Sequence, residues 1–133
     1  MASSPLTILS VATLSSCASR ALPVAFVWAV KEGNSTANTD ITSSSLDPSI
    51  FVVPSYELVV NTVYTITVTA SANTSTVSAS TIVYVAHGVV TAVIVGGTYR
   101  SAPVDKVLQL DASGSHDSDY PQTSTSMLTY QVQ

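Results

Sequence analysis

Charge is scarce in this chain of 133 residues: eight acids and four bases make up 9% of it and leave a net charge of −4. The bases, Arg20, Lys31, Arg100 and Lys106, stand singly, so no basic stripe exists to neutralise phosphates, and nucleic acid is excluded as a partner. Cysteine occurs once, at Cys17, which rules out a disulfide within the chain and leaves its redox compartment and any outside partner open. No apolar run reaches the ~20 residues that a membrane helix needs, because the stretch from Val83 to Gly97 is interrupted by His87. A sustained helical period is missing too. Hydrophobic residues nevertheless make up 46% of the chain, enough for a core and far from the make-up of a disordered tail.

What the sequence does have is alternation. In "VYTITVTA", Tyr64, Ile66, Val68 and Ala70 share one face and Thr65, Thr67 and Thr69 the other, as in a strand with one side buried. "PVAFVWAV" sets Val24, Phe26, Trp28 and Val30 against Ala25, Val27 and Ala29; both sides are apolar, which predicts a central strand covered on both faces. "STIVYVA", "VVTAVIV" and "KVLQLDA" are three further β-branched runs, and the breaks between runs fall at about 8–12 residues, the spacing of a sandwich or barrel. The span from Lys31 to Ser49 is polar and punctuated and reads as a long connection with at most a short edge strand. The fold class expected is therefore all-β. In "LVVNTVY", Leu58, Thr62 and Tyr64 have the spacing of a tyrosine corner, the mark of a Greek-key sandwich. Trp28 is expected to fill the space between the sheets.

The N-terminal "SPLTILSVATLSSCAS" has the apolar centre and small residues of a signal peptide, and "LSSC" is similar to a bacterial lipobox, but no positive segment precedes it. Its apolar residues are mixed with Ser and Thr, which favours a strand over a leader removed near Ala21. Two sequons, at Asn34 and Asn73, lie in polar stretches where a secretory route would permit glycans.

The one concentration of chemical groups is "LQLDASGSHDSDYP", Leu108 to Pro121. Asp111, Asp117 and Asp119 offer oxygens to a hard cation such as calcium, yet neither EF-hand spacing nor a closing bidentate Glu is present. The same residues make turns unaided, because Asp and Ser side chains bond their own backbone; a turn with no cofactor is the reading preferred. Ser113 or Ser115, His116 and Asp117 are too close along an extended chain to align as a catalytic triad. His87, His116 and Cys17 lack zinc spacing, and "GGTYRS" opens no helix that could cradle a phosphate. No enzyme is predicted.

A weak repeat relates the segments around Trp28 and Tyr130, which lie about a hundred residues apart, close to one immunoglobulin-like unit. Together with "LQLDASGSHDSDYP…LTYQV" and "LSSCASRALPVAFVWAV…YELVVNTVYTITVTA", it makes the chain resemble the polycystic kidney disease (PKD) repeat and the related receptor-for-egg-jelly (REJ) modules. Leu108, Leu110, Asp111, Ala112, Ser113, Ser115 and Asp117 match the family's second-strand run. Phe26-Val27-Trp28 and Tyr130-Gln131-Val132 match its Tyr-x-Trp strand, and Tyr64 to Val68 its late Tyr-x-x-x-Val strand. Val132 stands in place of the usual Trp, and the Asp-Phe-Gly-Asp-Gly turn of many PKD repeats is missing after Trp28; both departures point to the REJ-like branch.

The resemblance implies an immunoglobulin-like β-sandwich in which residues 1–86 form one unit lacking its first strand and residues 87–133 the N-terminal half of a second. Phe26, Trp28, Leu58, Tyr64, Ile66, Val68, Leu108, Leu110 and Tyr130 would then be structural. It further implies a non-catalytic, extracellular piece of a large cell-surface protein that meets the membrane only through that parent. Adjacent β-modules, and a protein or carbohydrate at the cell surface, would be its partners. A fibronectin type III-like binding domain uses the same strand and corner pattern and is the alternative.

Overall fold

Threonines on one side and large apolar residues on the other let "VYTITVTA" pair on both edges while burying a single face, and it lies at the centre of a sheet. The computed structural model describes residues 3–13, 23–121 and 128–131, with no helix among them. Cys17, Val132 and the second half of the leader-like segment lie outside the described residues. In chain order the strands are β1 (Leu6–Leu9), β2 (Ala25–Glu32), β3 (Ile50–Val53), β4 (Thr62–Ala72), β5 (Ser75–Val85), β6 (Val90–Thr91) and β7 (His116–Asp117). All pair antiparallel: β1 with β3, β2 with β4 with β5, and β6 with β7.

Register puts the apolar faces together. Trp28 lies opposite Val68 and Val30 opposite Ile66, so β2 and β4 present one apolar surface. Phe51 and Val53 of β3 meet that surface, and Val30, Phe51, Val53, Leu58, Tyr64, Ile66 and Val85 form the buried cluster. Leu6 and Ile8 of β1 pack on it from the β1–β3 side, and Trp28 from the other. The Trp28 and Phe51 rings are 5.2 Å apart and tilted by 33°. Two sheets therefore share one core.

Both ends of β4 are shaped by asparagine. At its start Asn61 adopts a left-handed φ of 59°, and its N–H donates to the Val85 carbonyl at 2.7 Å although Val85 already faces Thr62. Two residues thus oppose one, which is a β-bulge with its first residue left-handed. The Tyr84 hydroxyl donates to Asn61 Oδ1 at 2.9 Å and holds the bulge. At the other end a two-residue turn, Asn73-Thr74, joins β4 to β5; only Asn73 has positive φ, at 54°, the φ pattern of a type II′ hairpin.

Two expectations are corrected, and one strand is new. The strand around Trp28 is at an edge rather than the centre of its sheet, and Val27 is 64% exposed. Val27 sits in one cross-strand row with Thr69 and Ser78, so its side of the sheet is a polar face, and among the described residues no third layer covers it. Directly after the span read as a connection, "IFVV" forms β3, a strand assigned to no run in the sequence. "VVTAVIV" supplies only Val90–Thr91 to a strand, and "KVLQLDA" supplies none. Leu108 and Leu110 are accordingly exposed, at 56% and 60%, because among the described residues no opposing sheet covers them. The leader-like segment does form a strand over Leu6–Leu9, and the connection from 33 to 49 contains no strand.

Candidate functional site

The acidic stretch folds back onto the segment that follows β5. Its geometry is set by short side chains bonding to backbone. Asp111 Oδ1 accepts from Ser113 N–H at 2.8 Å, and Asp117 Oδ1 accepts from Asp119 N–H at 2.9 Å: two Asx turns in succession. The Ser113 hydroxyl and then its backbone N–H favour the charged form of Asp111 and hold its pKa below the ordinary aspartate value.

Two serines extend the pairing of β6 with β7 beyond its two residue pairs. Ser115 Oγ accepts from Val93 N–H at 2.9 Å and faces the Val93 carbonyl at 3.3 Å; Ser118 Oγ accepts from Val89 N–H at 2.7 Å and donates to the Val89 carbonyl at 2.9 Å. Each hydroxyl satisfies both polar groups of one facing residue, doing for the backbone what a strand neighbour would do. Asp119, whose side chain is 7% exposed, accepts from Gly88 N–H through Oδ1, while its Oδ2 lies 3.4 Å from His87 Nδ1. A Cβ at Gly88 would collide with the Ser118 hydroxyl and the Asp119 carboxylate, so close approach requires glycine there.

All three carboxylates are thus engaged with backbone N–H groups. Among the described residues no three acids, histidines or cysteines converge in a way that could hold a metal ion. His116 Nδ1 faces the Gly114 carbonyl at 3.3 Å. What this arrangement does chemically is dock 87–95 against 111–119.

The remaining singled-out residues fall into two groups. Leu58, Tyr64 and Ile66 are buried, and Phe26, Trp28 and Val68 are half-buried on the same apolar side. The Tyr64 hydroxyl accepts from Val59 N–H at 3.1 Å, five residues upstream, which completes the tyrosine corner. Leu108, Leu110 and Tyr130 belong to the second group, which is exposed. Tyr130 joins Leu128, Val90, Val93, Ile94 and Ala112 around an open cleft of about 560 Å³. Asn34 and Asn73 both lie in exposed turns, Asn73 at the tip of the β4–β5 hairpin.

Sequence reasoning missed the partner of Trp28. Its indole N–H donates to the Pro48 carbonyl at 2.9 Å, in a turn where Asp47 Oδ1 accepts from the hydroxyl of Ser49 at 2.7 Å and from its N–H at 2.9 Å. The signal available was the Asp47-Pro48-Ser49 triplet just before an apolar run.

Comparison with protein families matches the REJ domain over residues 10–131. The chain belongs to the REJ domain family. Comparison with curated proteins and with solved structures gives no match. The REJ match spans β2 to β5 and the acidic segment, so the docking of 87–95 on 111–119 lies inside the REJ domain. REJ domains are non-catalytic modules found in extracellular parts of membrane proteins, which agrees with an acidic stretch whose side chains serve the backbone.

Proposed function

We propose that this REJ domain is an immunoglobulin-like β-sandwich from the ectodomain of a large PKD/REJ-type membrane protein, acting in adhesion, ligand contact or mechanical spacing. The observation that carries this reading is the tyrosine corner in its particular setting. Tyr64 sits at the start of the central strand of β2-β4-β5, and β1 pairs with β3 in the opposing sheet. Immunoglobulin-like domains order strands C-F-G and B-E in the same way, with the corner at the start of F. The strand that would open such a unit belongs beside β1. An open cleft of about 230 Å³ lies there, lined by Pro5, Leu6, Pro54, Leu58, Val83 and Val85.

Residues 87–133 form the N-terminal half of a second PKD-like unit in this reading, because the apolar residues there alternate as strands do yet lie uncovered. Partners are adjacent β-modules in the parent chain and a protein or carbohydrate at the cell surface. No cofactor is needed. Titration of the chain with calcium is expected to give no heat that Asp117→Ala abolishes.

An antibody against the chain tests the placement. It is expected to stain unpermeabilised cells of the native host, and removal of N-glycans is expected to reduce the mass of the protein it captures. Staining that requires permeabilisation would overturn the extracellular reading.

A further inference from the structure

We propose that β5 is a homotypic docking edge, which pairs antiparallel with β5 of a second copy about a twofold axis at Ser80. Strand β5 is the outer strand of its sheet and runs for 11 residues with no charge, proline or glycine. From Ser75 to Ile82 every residue is exposed. Natural edge strands are ordinarily blunted by lysine, proline, a bulge or brevity, and β5 has none of these between Ser75 and Tyr84. The opposite edge of the same sheet is protected: β2 carries Lys31 and Glu32, and Thr39 covers the Val30 carbonyl through both its N–H and its hydroxyl.

The hairpin fixes which groups are free. Ala72 and Ser75 close a two-residue turn and are therefore a hydrogen-bonded pair, so the odd-numbered residues of β5 bond to β4. Thr76, Ser78, Ser80, Ile82 and Tyr84 turn their N–H and C=O groups outward. A row of alternating donors and acceptors with strand spacing is matched by another strand and by little else.

Why the occupant is a second copy follows from charge and register. A twofold pairing sets a strand against its own residues, so a charge near the axis would meet its like; β5 carries none and is complementary to itself. With Ser80 on the axis, Thr76 lies opposite Tyr84 and Ser78 opposite Ile82 of the other copy, and every outward backbone group finds a partner. The same register sets Val77, 66% exposed, opposite Val83 of the second copy, an apolar pair on the core-facing side. The 73% exposed Ile82 is covered from the other side. The opening strand proposed above would sit beside β1 in a cleft that reaches only Val83 to Val85 of β5, leaving the edge from Ser75 to Ile82 open. The inference stands independently of the proposed function.

A single strand pair is a small interface, so the dimer is weak, with a dissociation constant on the order of 10–100 µM. Sedimentation equilibrium of the whole chain from about 5 to about 500 µM covers that range. Reductant is included so that Cys17 links no copies. Three chains are compared: the parent, Ser80→Lys and Ser80→Glu. Each variant puts two like charges face to face on the axis and is expected to dimerise at least about tenfold more weakly, while an equimolar mixture of the two recovers dimer. Recovery in the mixture separates lost pairing from lost folding. A parent that stays monomeric throughout overturns the proposal. Association that neither substitution weakens also overturns it, and assigns self-contact to the exposed apolar residues between Val89 and Leu110.

Discussion

Tyr64 combines two roles that a phenylalanine would separate. Its ring is buried in the core, while its hydroxyl is the acceptor for Val59 N–H. Tyr64→Phe keeps the ring and strands the donor, so a loss of about 1–2 kcal/mol is expected in urea unfolding, with the m-value unchanged. Asp47 is tested differently, because its carboxylate is fully exposed. The Ser49 hydroxyl and then the Ser49 N–H lower its pKa. A carboxylate with a depressed folded pKa contributes stability above its unfolded pKa and loses that contribution as pH falls through the folded value. In an NMR titration the Ser49 amide is therefore expected to move only below the usual aspartate range. In Asp47→Asn it is expected to stay still. Both side chains were legible in part from sequence: the corner from the spacing of Leu58, Thr62 and Tyr64, the capped turn only as a polar stretch. A local pattern names a tyrosine corner; nothing local says that the indole of Trp28 reaches Pro48, 20 residues away.

At the level of elements, β4 and β5 are the longest strands and the most unequal in environment. Strand β4 is paired on both sides, β5 on one. Hydrogen exchange at concentrations too low for self-association is expected to alternate along β5. Amides of Thr76, Ser78, Ser80, Ile82 and Tyr84 should exchange fast, and those of Val77, Ala79, Thr81 and Val83 slowly. Uniform exchange would reject the register derived from the Asn73-Thr74 turn. Cross-strand hydroxyl pairs, Thr67 with Ser80 at 2.8 Å and Thr69 with Ser78 at 2.9 Å, tie the outer face together without burying it. Alternation in "VYTITVTA" found β4, because one buried face imposes a period of two, and the β-branched run "STIVYVA" found only the second half of β5. It failed for β2, whose two apolar sides suggested a covered centre. Alanine and valine are small enough for a solvent face, and composition alone does not distinguish that face from an interior one.

For the whole molecule, the contrast lies between the buried core of β2 to β5 and an exposed segment that follows it. Val30, Phe51, Tyr64 and Ile66 are almost wholly buried, whereas Leu108, Leu110 and Tyr130 are each more than half exposed. Residues 87–119 are thus held mainly by the hydroxyl and carboxylate bonds of Ser115, Ser118 and Asp119. They are expected to unfold first. Limited proteolysis should cut between Gly96 and Leu110 well before it attacks β2 to β5. On the proposed division into units, a longer chain that continues the second one should protect those sites and remove binding of a hydrophobic dye. Equal protection of both segments in the present chain would count against an incomplete second unit.

The sequence by itself determined an all-β chain, most of β4 and half of β5, the tyrosine corner and the turn-forming character of the acidic stretch. These follow from period, spacing and composition, which act over a few residues. Tertiary structure alone decided that β2 lies at an edge, that "IFVV" closes the core, that Ser115 and Ser118 stand in for strand neighbours, and that β5 is left with one side unpaired among the described residues. Those outcomes depend on which distant segment arrives alongside, and an alternating strand carries no record of which neighbour will satisfy its outward groups.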